Sequence, residues 1–352
     1  MGENFANLQF RNKTMTFKIT ILPSGHSFEC APGENLLSAA LQEGIGLPYG
    51  CRNGRCGSCL ATLASGEVEY PSGNTEALEG QASDALLVCQ AVPLSDVTLQ
   101  VREIERAAEI EVRTLPCRVV GIEHLAHDVI RLYLKLPENQ RLQFLAGQYL
   151  DFILSDGRKR AFSIANAPHD DKLIELHVRH VDGGKFTDYV FNQMREKSIL
   201  RIQAPLGSFT LNEDSERPII LMGGGTGFAP LKGIIEHAFH LQLKRPMHLY
   251  WGVRSRRDLY LPDLPERWMS EHPGFRYTPV LSEPAADDHW EGRTGWVHEA
   301  VITDYPELDQ YEIYMSGPPP MILSGKDTFL AHGLTEDHLY YDSFEYAGPK
   351  ED

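Results

Sequence analysis

The chain has 352 residues, 42% hydrophobic and 23% charged, with a formal net charge of −16. That length exceeds a single ordinary core, so two or three domains are expected, and the acidic balance speaks against nucleic acid and anionic membrane as partners. No apolar run approaches the ~18 residues of a membrane-crossing helix, and the opening MGENFANLQF has no basic-then-apolar leader pattern, so no membrane insertion and a cytoplasmic location are expected.

Residues 1–14 precede any patterning and are expected to be a tail. From 16 to 22 apolar and polar residues alternate, PSGH forms a turn, and SFECA returns as a second strand. ENLLSAALQEG then sets Leu36, Leu37, Ala40 and Leu41 at helical spacing, with Gly44 as a stop. The following loop, CRNGRCGSC, spaces Cys51, Cys56 and Cys59 as C-x4-C-x2-C, and Cys89 follows far downstream in LLVCQA. That is the plant-type spacing of a [2Fe–2S] cluster, whose two irons need four thiolates. A C-x2-C pair also serves zinc, but zinc sites usually split their ligands into two separated pairs, whereas three of these cysteines share one loop. Gly50, Gly54 and Gly57 free the backbone where a loop must wrap a cluster. Arg52 and Arg55 either offset the cluster's negative charge or solvate the loop. Cys30 and Cys117 lie in strand-like runs and read as buried thiols. Strands near 58–63 and 66–70 and in DVTLQVR complete a β-grasp ferredoxin domain over 15–104, followed by a charged linker over 105–113.

From 114 to 214 the pattern is all-β: six strand candidates (LPCRVVGIEHL, DVIRLYLKL, QYLDFIL, RAFSIAN, LIELHVRHV and SILRIQA), with a short helix, FTDYVFNQM, before the last. Their Gly-, Pro- and Asp-rich turns suit a six-stranded antiparallel barrel. From 215 to 352 strands and helices alternate, which predicts a Rossmann-like open parallel α/β sheet. Its first unit, PIILMGGGTGFAPLKG, is a strand, a glycine turn and a helix start; Gly225, Thr226 and Gly227 would let backbone approach a pyrophosphate at a helix N-terminus. After the second strand Arg254 stands near the position where an acidic residue would meet a ribose hydroxyl. A basic residue there leans toward NADPH on physical grounds, and the choice between NADH and NADPH stays open.

Three barrel segments then take on meaning together. Arg160-Ala161-Phe162-Ser163 resembles the R-x-[YF]-[ST] flavin motif of the ferredoxin–NADP reductase superfamily: an arginine for pyrophosphate, an aromatic ring for the isoalloxazine and a hydroxyl near its reactive nitrogen. In ELHVRHVDGGKFT, His177, Arg179, Gly183, Gly184 and Thr187 fall where the diphosphate would be held, and Pro205-Leu206-Gly207 stands at the superfamily's G-P-x-G turn. Tyr314-Met315-Ser316-Gly317-Pro318-Pro319 resembles the C-G-P-P segment beside the nicotinamide, with Ser316 in place of the usual cysteine, and Phe344 either covers the flavin or packs in the core.

In order and content the chain resembles the [2Fe–2S]–FAD–NAD(P) reductase components of bacterial oxygenases, and most of all the CDP-6-deoxy-Δ3,4-glucoseen reductase type, through PSGHSF, GLPYGCRNGRCGSC, RLQFLAGQYLDF and FSIANAPHDD. The resemblance implies hydride transfer from NADH or NADPH to FAD, with Ser163 bonding the flavin and Ser316 placing the nicotinamide. Single electrons would then pass through the cluster to a protein partner, an oxygenase or a sugar dehydrase component. A stand-alone reductase of a small acceptor such as free flavin, ferric chelate or quinone, and a non-enzymatic redox sensor, are the alternatives.

Overall fold

A computed structural model describes residues 16–103 and 110–344. The expected tail, residues 1–14, and the first five residues of the expected linker, 105–109, lie outside the described residues. Three sheets, each with its own core, follow one another along the chain.

The first sheet has the order β2-β1-β7-β3-β5, from β1 (Phe17–Leu22), β2 (Ser27–Cys30), β3 (Leu60–Ser65), β5 (Ala85–Leu87) and β7 (Val97–Gln100). β4 (Val68–Glu69) and β6 (Val92–Pro93) form a separate small pair. β1 pairs antiparallel with β2 and parallel with β7, the mixed pairing of a β-grasp. Helix α1 (Leu36–Gln42) begins where Asn35 accepts a hydrogen bond from the Ser38 amide, 2.9 Å away, and buries Leu36, Leu37, Ala39 and Ala40.

The second sheet runs β11-β10-β13-β8-β9-β12 and is antiparallel throughout. Its members are β8 (Arg113–Ala126), β9 (Val129–Lys135), β10 (Tyr149–Ile153), β11 (Lys159–Ser163), β12 (Ile174–Arg179) and β13 (Ile199–Leu206). A single antiparallel bridge, Ile164 to Leu176, joins its two edges and closes the barrel. Helix α2 (Lys185–Asn192) follows β12 and buries Phe186, Thr187 and Val190.

The third sheet, β17-β16-β15-β14-β18-β19, is wholly parallel. Its strands are β14 (Ile219–Gly224), β15 (Met247–Val253), β16 (Phe275–Leu281), β17 (Arg293–Thr294), β18 (Glu312–Gly317) and β19 (Leu339–Ser343). The helices are α3 (Phe228–His240), α4 (Asp263–Glu271), α5 (Val297–Asp304) and α6 (Pro319–Ala331). The central strand β14 is buried at every residue, as a parallel strand covered on both faces must be, and its unbroken IILM run reflects that.

Candidate functional site

The cysteine loop is built to present sulfur to a metal. The amides of Asn53 and Cys56 point at Cys51 Sγ (3.5 and 3.4 Å), and those of Cys51 and Ser58 point at Cys56 Sγ (3.4 and 3.5 Å). Cys59 and Cys89 bring their sulfurs to 3.1 Å, and Gln90 ties the turn that carries Cys89 to the loop by donating to the Arg52 carbonyl (2.8 Å). Backbone N–H groups aimed at sulfur stabilise thiolates, so the residues fit an iron–sulfur cluster held by all four cysteines. Gly54 is required twice over: its φ is +85°, and a Cβ there would collide with the Asn74 carbonyl.

This loop docks on the barrel. Tyr149, at the start of β10, donates from its hydroxyl to the Gly50 carbonyl at 2.9 Å, and Ser208 both accepts from the Tyr49 amide (2.7 Å) and donates to the Tyr49 carbonyl (2.9 Å). Tyr149 is the register partner of Ser163 on β11. Ser163 is buried and donates to Asp342 on β19 at 3.4 Å; Asp342 is in turn the parallel partner of Ser316 on β18. Burial pushes the Asp342 carboxyl up to about 6, against the lowering effect of the Ser163 hydrogen bond. The Ser316 hydroxyl is fully buried and has no hydrogen-bond partner. Two hydroxyls and a carboxyl with unspent hydrogen-bonding capacity thus meet where barrel and parallel sheet join, which fits a polar ring system such as a flavin beside a nicotinamide.

The glycine turn lies next to this junction. Gly225–Gly227 makes one 3-10 turn that runs directly into α3, so amides at a helix start face the cleft. Trp251 holds the turn from below, donating from Nε1 to the Gly225 carbonyl (2.9 Å) and stacking on Phe228 (centroids 4.1 Å apart). A Cβ on Gly227 would overlap the Ser316 carbonyl, so only glycine lets turn and β18 approach this closely. The cleft encloses ≈ 220 Å³ and is lined among others by Asp128, Arg179, Gly224, Gly225, Thr226, Arg254, Ser282, Trp296 and Pro318. This arrangement, an open cleft over a glycine turn at the C-terminal ends of parallel strands, fits a dinucleotide.

A buried polar network fixes the two halves of the cleft against each other. Lys232 on α3 is 6% exposed and donates to Glu175 on β12 (3.1 Å), to the Ala165 carbonyl (3.2 Å) and to Glu236 (2.9 Å). His177 bridges Glu175 (2.9 Å) and the Tyr260 hydroxyl (2.9 Å). Burial works against the Glu175 charge, yet the His177 hydrogen bond and the Lys232 ammonium outweigh it and hold the carboxyl at about 2. Burial lowers the His177 pKa, so the ring is neutral between its partners.

Family models match in the order of the three sheets: a 2Fe-2S iron-sulfur cluster binding domain over residues 19–94, an oxidoreductase FAD-binding domain over 116–211 and an oxidoreductase NAD-binding domain over 221–326. The chain is 38% identical to the CDP-6-deoxy-L-threo-D-glycero-4-hexulose-3-dehydrase reductase of Yersinia pestis, over 94% of this chain and 99% of that one. The chain belongs to the [2Fe–2S]–FAD–NAD(P) reductases. A second member, reductase component 2 of terephthalate 1,2-dioxygenase from Comamonas, is 36% identical over 94% of this chain and 98% of its own. The crystal structure of the Amycolatopsis cytochrome P450 reductase GcoB matches this reductase with a TM-score of 0.75 and 34% identity, over 94% of this chain and 99% of that one. The reductase is an oxidoreductase with domains for all three cofactors, and among its described residues no helix is long and apolar enough to cross a membrane.

Within the reductase the residues singled out from sequence divide by where their side chains go. Arg179, Gly225, Thr226, Arg254 and Pro318 line the cleft; Gly227 and Gly317 shape the backbone beside it. Arg179 is anchored by Asp128 at 2.7 Å. Arg160 is half-buried on β11 and donates to its neighbour's carbonyl (2.8 Å). Gly183 has φ +73°, and Gly184 caps α2. Phe344, half-buried, donates its amide to the Gly317 carbonyl (2.8 Å). Three others have side chains engaged within the protein. The partly buried Phe162 ring packs edge-on and tilted against Phe152 and Phe186 beside the barrel core (centroids 5.6 Å from each). His177 is sealed between Glu175 and Tyr260, and the Thr187 hydroxyl closes its own loop through Val181 and Gly184. These three support the site from behind. Tyr149, Lys232, Glu175, Trp251 and Trp296 escaped the sequence reading.

Proposed function

We propose that this protein takes a hydride from NADH or NADPH and delivers single electrons to a separate protein, an oxygenase or sugar dehydrase component, in the cytoplasm. The observation that carries the reading is the convergence of all three domains: the cysteine loop rests on Tyr149, whose strand partner Ser163 reaches the Asp342–Ser316 pair beside the glycine turn. Relatives named as reductases of a hexulose-3-dehydrase and of terephthalate 1,2-dioxygenase support a protein acceptor. When bound, the flavin converts a two-electron donor into one-electron steps and the cluster provides a one-electron outlet.

In this reading the division of labour among the chain's own residues is as follows. Cys51, Cys56, Cys59 and Cys89 hold the cluster. Ser163 offers its hydroxyl to the flavin, while Arg160 and the Gly183–Gly184 turn bind its diphosphate. Gly225–Gly227, Arg179, Arg254, Gly317 and Pro318 receive the dinucleotide, and Ser316 sets the nicotinamide against the flavin. Domain limits of 15–104, 114–214 and 215–352, with a linker over 105–113, accompany this assignment; Arg113, at the linker's end, pairs with Ala204 of β13.

Anaerobic titration with NADH and NADPH tests the reading. Flavin bleaching followed by a reduced-cluster EPR signal is expected, and Cys59→Ser keeps the bleaching and loses the signal. A flavin that reduces while the native cluster stays oxidised refutes the relay. Turnover with free flavin, ferric chelate or quinone that matches turnover with a candidate protein partner refutes the protein acceptor.

A further inference from the structure

Among the described residues Trp296 is the large hydrophobic in the dinucleotide cleft that remains uncovered, with 60% of its surface exposed. The other three tryptophans are enclosed or half-buried: Trp251 at 0%, Trp268 at 4% and Trp290, which is partly buried against the same core. An indole left this open invites a partner, because its broad apolar face is otherwise hydrated at a cost.

Its placement is rigid. Gly295, at φ +101°, donates its amide to the Leu281 carbonyl at the end of β16 (2.9 Å), and Trp296 then starts α5, its carbonyl accepting from the Ala300 amide at 3.2 Å. The next residue, Val297, packs so closely on β15 that a Cβ on Gly252 would lie 2.8 Å from it. The backbone that carries Trp296 is therefore fixed at the cleft wall.

Sheet order says which end of a dinucleotide it meets. From the glycine turn after β14, one direction leads to β18 and Ser316, at the barrel; the opposite direction leads across β15 and β16 to Arg254, Ser282 and Trp296. A pyrophosphate held at the start of α3 sends the nicotinamide toward the barrel and the adenosine toward the second strand. Tyr260 also lines the cleft, but it is only 4% exposed and its hydroxyl is spent on His177. We propose that Trp296 is the adenine-binding residue, its indole stacking on the purine and setting affinity for the nucleotide without touching the nicotinamide. This inference rests on the dinucleotide reading of the cleft.

ADP-ribose, which carries the adenosine end without a nicotinamide, separates the two ideas. Its binding to the FAD-loaded protein is followed by calorimetry and by tryptophan emission. Native protein is expected to bind ADP-ribose with quenching; Trp296→Ala loses the quench and binds about tenfold more weakly, in line with base–aromatic stacking, while Trp296→Phe retains most of the affinity. Alanine binding as tightly as native, or alanine and phenylalanine weakened alike, overturns the stacking role. Failure of the native protein to bind ADP-ribose at all overturns the dinucleotide reading itself.

Discussion

Replacing Lys232 with methionine removes the ammonium that joins α3 to the barrel while keeping most of the side chain's volume. Lys232 is 6% exposed and makes three contacts, two with carboxylates and one with the Ala165 carbonyl. Its loss strands Glu175, which is itself 7% exposed, with His177 as its closest remaining partner. Breaking a buried pair in this way costs about 3–5 kcal/mol. The shift of Glu175 from 4.5 to about 2 is worth about 3 kcal/mol of stability in all, shared between the His177 hydrogen bond, which the variant keeps, and the Lys232 ammonium, which it loses. Because the folded pKa lies below the unfolded one, that stability is complete above about pH 4.5 and disappears as the pH falls through 2. In the variant the Glu175 pKa rises toward its unfolded value, so the stability this carboxylate loses on acidification shrinks. At neutral pH the melting temperature of the barrel and parallel-sheet half is expected to drop on the order of 10 °C, as read by circular dichroism. Adding Glu175→Gln to Lys232→Met removes the stranded charge and should restore part of the loss. A Lys232→Met protein that melts with the native one, or a double variant no more stable than the single, refutes the reasoning.

Gly227→Ala drives a Cβ into the Ser316 carbonyl; backbone on both sides leaves little room to relax, so a loss of about 3 kcal/mol or more in the parallel-sheet domain is expected by thermal melting, together with weakened ADP-ribose binding. Tyr149→Phe deletes only the hydroxyl that meets Gly50; about 1 kcal/mol of docking is lost, and amide exchange at Tyr49–Cys51 should rise while the rest of the ferredoxin sheet is unchanged. Asp342→Asn acts in the opposite direction. Its carboxyl titrates at about 6 instead of 3.8, so ionisation costs folded stability as pH rises through that window, about 3 kcal/mol in full. The FAD-free Asn variant should therefore outlast native at pH 8 and lose that advantage toward pH 5; a variant less stable at pH 8 contradicts the buried-carboxylate argument.

The cysteine loop and the glycine turn were legible because each packs its chemistry into one short stretch, where spacing alone fixes which atoms converge. The order of the three sheets was legible for a related reason: alternation with period two gave way to strand–helix alternation at about 215, and β8 and β14 both formed where they were expected. What escaped depends on contacts between domains. Glu175 sits in the strand LIELHVRHV as an ordinary polar residue, and nothing local reveals that Lys232, on a helix of the next domain, reaches across to it. Alternation also cannot say that His177 would be sealed between Glu175 and Tyr260. Two-residue strands such as β17 leave no periodic trace, so nothing in the pattern singled out Trp296 just beyond it.

Strand β19 follows every other named strand in the chain, yet each domain is fastened to it. Arg102 of the ferredoxin lies over Tyr340, with its guanidinium carbon 4.6 Å from the ring centroid, and donates to the Asp337 carbonyl just before the strand (2.7 Å). Asn212 reaches the same tyrosine from the barrel (3.3 Å), and Ser163 reaches Asp342. During synthesis the three domains leave the ribosome one after another and each has the core to fold as it emerges. The Tyr149–Gly50, Ser208–Tyr49 and Lys232–Glu175 contacts can form without β19, whereas those of Arg102, Asn212 and Ser163 have to wait for it. A chain stopped before residue 339 would lack the one strand to which Arg102, Asn212 and Ser163, from two different domains, are all tied.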